Sequence, residues 1–510
     1  MNFARVFGAQ PCLPCAKLVS VETDITRGLH AFGIVGLPDK AVEEARDRVS
    51  SAIKNSGFVP PKSTNKKIVV SLAPAELRKE GSAFDIPVAL SYLIASDDIA
   101  FDPVGKLFAG ELGLDGGVRP VRGALSIALL ARNEGFTELY IPRANAAEAA
   151  LVSGITIYPA ETLAEIIAHL QTVDAVPMKP YVRKESDGTF HNHSAPLDSI
   201  YGQESAKRAL EIAVAGRHNI AMYGPPGTGK TMLARAAAAL LPELSEEEMI
   251  EVTAIHSFAG TLDGTALRVP PFRSPHHTAS YASIIGGGAV PRPGEVTLAH
   301  RGVLFMDEFP EFQRDVINAL REPLEDSKIS VSRARSSATF PANFMLIAAL
   351  NPCPCGKYGS KECKCTPVSL ERYKRKISGP VADRIDMWVH VGALAPESLA
   401  MGAVRAQEGN ETDKVRNRVA QARQSQKSRF GDTSGITTNA DMGPKDIEQH
   451  AELSAEAEKV LQSAAHAMKL SARGYHRTIK LARTIADLAQ SQTIEPTHML
   501  EALQYRQREM

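Results

Sequence analysis

The chain has 510 residues, 44% hydrophobic and 23% charged, with 58 basic and 58 acidic side chains and a formal net charge of zero. That length is too great for one core and predicts two to four domains; the composition excludes a disordered or disulfide-built chain, and the charge balance means that affinity for nucleic acid must come from local basic surfaces. The opening MNFARVFGAQPC has no apolar signal core, and no run of about 18 uncharged apolar residues occurs, so a cytosolic (cytoplasmic) chain without a membrane span is expected.

Residues 1–172 alternate strand-like and helix-like segments and are expected to form the first domain. KKIVVSLAP reads as a strand through Ile68, Val69 and Val70. DKAVEEARDRVSSAIKNSG reads as a helix capped by Asp39, with Val42, Ala45, Val49 and Ile53 on one face and Gly57 as terminator. Residues 173–196 are polar, carry prolines and lack any apolar period, which predicts a linker. Across 197–393, NIAMYGPPG, GVLFMDE and FMLIAALN are short apolar runs that each end in polar residues, as strands buried on both faces of a parallel sheet do. Residues 394–510 are glycine-poor and helical in pattern, and no internal repeat is present.

The stretch Gly224, Pro225, Pro226, Gly227, Thr228, Gly229, Lys230, Thr231 fits the phosphate-loop pattern in full. Its glycines allow backbone N–H groups to turn around a phosphate, and the following helix adds its positive end. Lys230 is placed to reach the β- and γ-phosphates of ATP and Thr231 to bind Mg²⁺. Asp307 and Glu308 follow the GVLFM run: Asp307 is the expected Mg²⁺ partner, and Glu308 the base that polarises the attacking water. An acidic pair after a strand is ordinarily only a capped loop, and the phosphate loop is what gives this pair its meaning. Asn351, after FMLIAAL, either positions the lytic water or satisfies its own turn.

Together these segments resemble an AAA+ ATPase. Residues 272–312 (FRSPHHTASYASIIGGGAVPRPGEVTLAHRGVLFMDEFPEF) and 375–386 (RKISGPVADRID) are similar to the magnesium-chelatase-type branch. The resemblance implies a P-loop parallel sheet with a helical lid and assembly into a ring. It also implies an arginine finger at Arg384 and a sensor arginine on the lid at Arg473, with Arg477 as the alternative. RKEGSAFDIPVALSYLIAS and GELGLDGGVRPVRGALSIALLARNEGFTELYIP resemble the Lon-protease type of domain, an α+β fold of the ribosomal S5 domain 2-like kind. The position matching the catalytic serine is Ala83, with Ser82 one residue early, and the lysine position is Leu125, so proteolysis is not expected. The pairing of the two modules resembles the ComM (also YifB) family. That implies a homo-hexameric helicase on single-stranded and branched DNA, driving branch migration in natural transformation and homologous recombination alongside recombination proteins. A metal-insertion ATPase and a protein remodeller with a degenerate protease domain are the competing readings.

A DNA motor needs basic groups facing phosphates. Candidates are Arg273, His276 and His277 in one insertion, and Lys328, Arg333 and Arg335 in a strand–turn–strand pattern. The two histidines, adjacent on an expected strand, are predicted to face opposite ways and not to share a metal. Lys414, Arg416, Arg418, Arg423, Lys427 and Arg429 mark either a DNA-facing helix or an exposed charged one. In NPCPCGKYGSKECKCTP, Cys353, Cys355, Cys363 and Cys365 form C-x-C, seven residues, C-x-C, a set that closes a structural Zn²⁺ site or remains as free thiols. Cys12 and Cys15 have redox-like C-x-x-C spacing, against which a simple proline turn is weighed.

Overall fold

The computed structural model describes residues 2–13, 15–63, 65–171, 175–183, 196–262, 266–288, 291–333, 336–358, 362–377, 381–393, 410–431 and 436–506. The chain divides into two compact units, Met1–Thr189 with Glu246–Leu267, and Phe190–Ser245 with Arg268–Met510.

In the first unit the strands Phe3–Gln10, Lys17–Arg27, Lys66–Ala73 and Ala31–Val35 lie side by side in that order, the last pair parallel and the others antiparallel. Alternation along these strands turns Val19, Val21, Ile25, Ile68, Val70 and Leu72 into the core. The helix Lys40–Asn55 begins where Asp39 accepts a 2.8 Å bond from the Val42 N–H, and it buries Val42, Ala45, Val49 and Ile53 as the sequence predicts. A second sheet of three parallel strands comprises Lys106–Phe108, Glu138–Pro142 and Thr156–Ala160. Ala83 and Leu125, at the two protease positions, are both buried core residues, and the Ser82 hydroxyl is bonded to Glu111. The helix Glu246–Ala259, which falls within the expected ATPase core by sequence, belongs to this unit. Its Ala254 and Ile250 join the cluster of Leu125, Ile127 and Ala128.

The second unit is built on a five-stranded sheet. Its strands in chain order are β1 (Ile220–Tyr223), β2 (Phe272–Arg273), β3 (Val303–Met306), β4 (Met345–Leu350) and β5 (Met387–His390). They lie in the order β2-β3-β4-β1-β5, parallel throughout. Every residue of β3 and β4 is buried, which is why these runs are continuously apolar. Helices Glu204–Gly216, Lys230–Leu240, Glu411–Phe430 and Ala472–Leu488 share one core with the sheet.

The basic helix Glu411–Phe430 buries one face and ties most of its basic charge to neighbouring elements. Val415, Val419, Ala422 and Phe430 are buried, and four of its six basic groups are committed to neighbours. Arg416 donates to the Ala239 carbonyl at 3.1 Å and Arg423 to the Val214 carbonyl at 2.7 Å, each at the carbonyl-rich end of a helix. Arg418 pairs with Glu211 at 2.5 Å and Arg429 with Asp487. Only Lys414 and Lys427 of the six are exposed and without such a bond to another element among the described residues.

Candidate functional site

Parallel strands end together, and the loops after β1, β3 and β4 therefore meet at the carboxyl edge of the sheet. The loop after β1 is Gly224 to Gly229. A side chain at Gly224 would place its Cβ 2.0 Å from the Val391 carbonyl oxygen, so only glycine fits between β1 and β5 there. Gly229 (φ +89°) turns the loop into the helix Lys230–Leu240.

Lys230 is buried, and its ammonium donates to the carbonyls of Gly224 (2.7 Å) and Pro225 (2.8 Å) and reaches Asn351 Oδ1 at 3.3 Å. Burial lowers its pKa from the usual lysine range, with nearby Asp307 opposing the shift. The Thr231 hydroxyl donates to Asp307 Oδ2 at 3.0 Å. These are two oxygen donors of the hardness Mg²⁺ takes, already side by side, so the residues present fit that ion. Glu308 adopts a left-handed backbone (φ 51°) and its N–H bonds Asp307 Oδ1 at 3.0 Å. A non-glycine residue in that region is strained, and such strain concentrates at functional sites. The structure thus brings Lys230, Thr231, Asp307, Glu308 and Asn351 to one edge.

Residues 196–399 match the family model described as magnesium chelatase, subunit ChlI. Residues 21–145 match subunit ChlI of Mg-chelatase, and residues 409–506 its C-terminal region. The competence protein ComM of Haemophilus influenzae is 42% identical over 99% of this chain and 98% of its own length. The chain belongs to the ComM/YifB family. The uncharacterized protein YifB of Escherichia coli is 41% identical over 96% of this chain and 94% of its own length. Lon protease 2 of Bacillus subtilis is 30% identical over 37% of this chain and 39% of its own length.

In this ComM-family fold the arginines of the sequence reading stand apart from the phosphate loop. Arg384 lies three residues before the start of β5, at the amino edge of the sheet, and is buried. Its guanidinium pairs with Glu325, whose other oxygen accepts from Arg473 at 2.6 Å. Pairing with Arg384 lowers the Glu325 carboxyl, with Arg473 and Arg477 adding to the effect. Arg477 lies 3.6 Å from Asp386, whose burial would raise its pKa but which Arg477, His218 and the Asn219 N–H hold below the usual range. Arg473, Arg477, Glu325 and Asp386 line a cavity of about 640 Å³ on this edge. Arg473 and Arg477 thus lie with Arg384 in this amino-edge cluster.

The insertion candidates are also redistributed. Arg273 lies on β2 and forms a two-pronged pair with Glu295 at 2.6 and 2.8 Å. His276 and His277 follow β2 in a turn rather than a strand, and their rings lie 4.3 Å apart instead of facing opposite ways. His277 Nδ1 is 3.4 Å from Glu308 Oε2, a contact the strand expectation concealed. Lys328 is exposed at the start of the hairpin Lys328–Arg333 and Ser336–Pro341; the side chain of Arg333 and all of Arg335 lie outside the described residues.

The four cysteine sulfurs Cys353, Cys355, Cys363 and Cys365 lie within 4.8 Å of one another and none is in a disulfide. Cys12, in contrast, donates its thiol to the Cys15 carbonyl at 2.6 Å, and burial raises its pKa, the opposite of a redox thiol. Among the described residues no helix is long and apolar enough to cross a membrane.

Proposed function

We propose that this chain is an ATP-driven ring motor on DNA, a homo-hexamer that hydrolyses ATP to track along single-stranded DNA and unwind branched DNA. Its work is branch migration in natural transformation and homologous recombination, with recombination proteins as partners. The observation that carries the reading is the convergence of Lys230, Thr231, Asp307, Glu308 and Asn351 at one sheet edge, in a chain 42% identical over nearly its whole length to a protein named for competence. When bound, Mg²⁺ neutralises charge on the phosphates. Thr231 and Asp307 hold it, Lys230 binds the phosphate oxygens, Glu308 takes the proton of the attacking water and Asn351 orients that water. Lys328, Arg333 and Arg335 are the DNA-contacting residues, and the four cysteines hold a structural Zn²⁺.

The test is ATP hydrolysis with and without single-stranded, forked and three-stranded DNA, beside a strand-displacement assay. DNA-stimulated hydrolysis with displacement is expected. Charge reversal at Arg333 and Arg335 is expected to remove the stimulation and spare basal turnover. Indifference to DNA, with a response to porphyrin or unfolded protein, overturns the reading in favour of metal insertion or protein remodelling.

A further inference from the structure

Asn351 follows β4 directly, and Cys353 comes two residues later, so the cysteine segment grows out of the nucleotide site. Among the described residues, nothing between Leu350 and Pro367 forms a helix or strand. Among the described residues its internal bonds centre on the cysteines: the Gly356 N–H bonds the Cys353 carbonyl at 2.9 Å and the backbone N–H groups of Lys357 and Lys364 bond the Cys355 sulfur, while the Lys357 side chain pairs with Glu362. Yet the segment makes two specific contacts with the site. Gly356 (φ +76°) approaches Pro226 of the phosphate loop so closely that a Cβ would lie 2.7 Å from the proline ring. Tyr373, on the helix Pro367–Ile377 that follows Cys365, donates its hydroxyl to the Asn351 carbonyl at 2.9 Å.

What defines the segment's shape is the meeting of its sulfurs. Cys353 is buried, and its Sγ lies 3.3 Å from Cys355 and 4.0 Å from Cys363, with Cys355 and Cys363 3.6 Å apart. Four sulfurs bound to one Zn²⁺ at about 2.3 Å in a tetrahedron stand about 3.8 Å apart, so these spacings surround a single ion. A metal bound to a segment with little structure of its own contributes its binding energy to the folding of that segment.

We propose that the tetrathiolate site is a clasp on the nucleotide site: Zn²⁺ holds the knuckle so that Gly356 seats Pro226 and Tyr373 fixes Asn351. Nucleotide affinity and basal hydrolysis therefore depend on zinc, although zinc touches no substrate atom. The inference rests on the reading of residues 224–231 as the ATP loop and deepens it.

The experiment uses the purified full chain, with metal analysis, titration of a fluorescent ATP analogue and basal phosphate release measured on the same samples. About one zinc per chain is expected. Its removal by a chelator should weaken analogue binding and slow release by about tenfold, and zinc should restore both. Gly356→Ala, which adds a methyl against Pro226 and leaves all four sulfurs, should retain zinc and weaken analogue binding. The outcomes separate cleanly. A zinc-free chain with four reactive thiols overturns the zinc site. A zinc-loaded chain whose binding and turnover survive metal removal, or a zinc-loaded Gly356→Ala chain with unchanged binding, overturns the clasp. Failure of the zinc-loaded chain to bind the analogue overturns the ATP-loop reading beneath it.

Discussion

Glu308 is the second residue after β3, with a left-handed backbone, its amide tied to Asp307 and its carboxylate beside His277. A group so placed is asked only to take a proton, so Glu308→Gln should bind the fluorescent ATP analogue normally and slow phosphate release by about 10²–10⁴. Normal release by that variant would remove the base assignment. Lys230 carries a second expectation at this scale. Burial depresses its pKa, and the phosphates need its charged form, so affinity for ATP is complete below the depressed value and is lost as pH rises through it. Analogue titrations across alkaline pH should show the fall beginning before the ordinary lysine range; a flat profile up to that range contradicts it. The placement of Lys230 and Glu308 at the sheet edge was legible in the sequence because its signals are local, a glycine pattern and a strand end. Glu325 was not. It gathers Arg384 from 59 residues away and Arg473 from 148, and no local pattern encodes such a meeting.

At the scale of elements, the strands were readable wherever burial on both faces demanded an unbroken apolar run, as in β3 and β4. The destination of the helix Glu246–Ala259 was not. It buries Val252 through Ser257 without a gap, so no single apolar face points to a partner. The basic helix Glu411–Phe430 was legible only in part: its charge count is real, but charge counts do not reveal that arginines lie against the carbonyl ends of neighbouring helices. Arg423→Ala strips the Val214 carbonyl of its guanidinium donor, and the expected cost is about 1 kcal/mol. Denaturant melts should show that loss while the salt dependence of DNA binding stays as in wild type. A reduced salt slope would instead return the helix to the DNA surface.

For the whole molecule, the separation of the two arginine-bearing and phosphate-bearing edges decides how a site is completed. Lys230 and Glu308 lie at the carboxyl edge of the sheet, and Arg384 lies at the amino edge, before β5. The intervening strands have four to six residues, about 13–20 Å at the usual rise per residue, beyond the reach of an arginine side chain. Arg384 thus has no path to the phosphates of its own chain while the sheet is intact. The proposed ring would supply one, since a head-to-tail interface sets one edge of each subunit against the other edge of its neighbour. Arg384→Ala should bind the ATP analogue normally and fail to hydrolyse ATP. Lys230→Ala should neither bind nor hydrolyse, yet it keeps its own Arg384. Equal mixtures of the two variants, reassembled into rings, should recover about a quarter of wild-type turnover, because that fraction of interfaces joins an intact loop to an intact arginine. Intact mixed rings with no recovered activity would sink the assignment of Arg384 as the arginine lent between subunits.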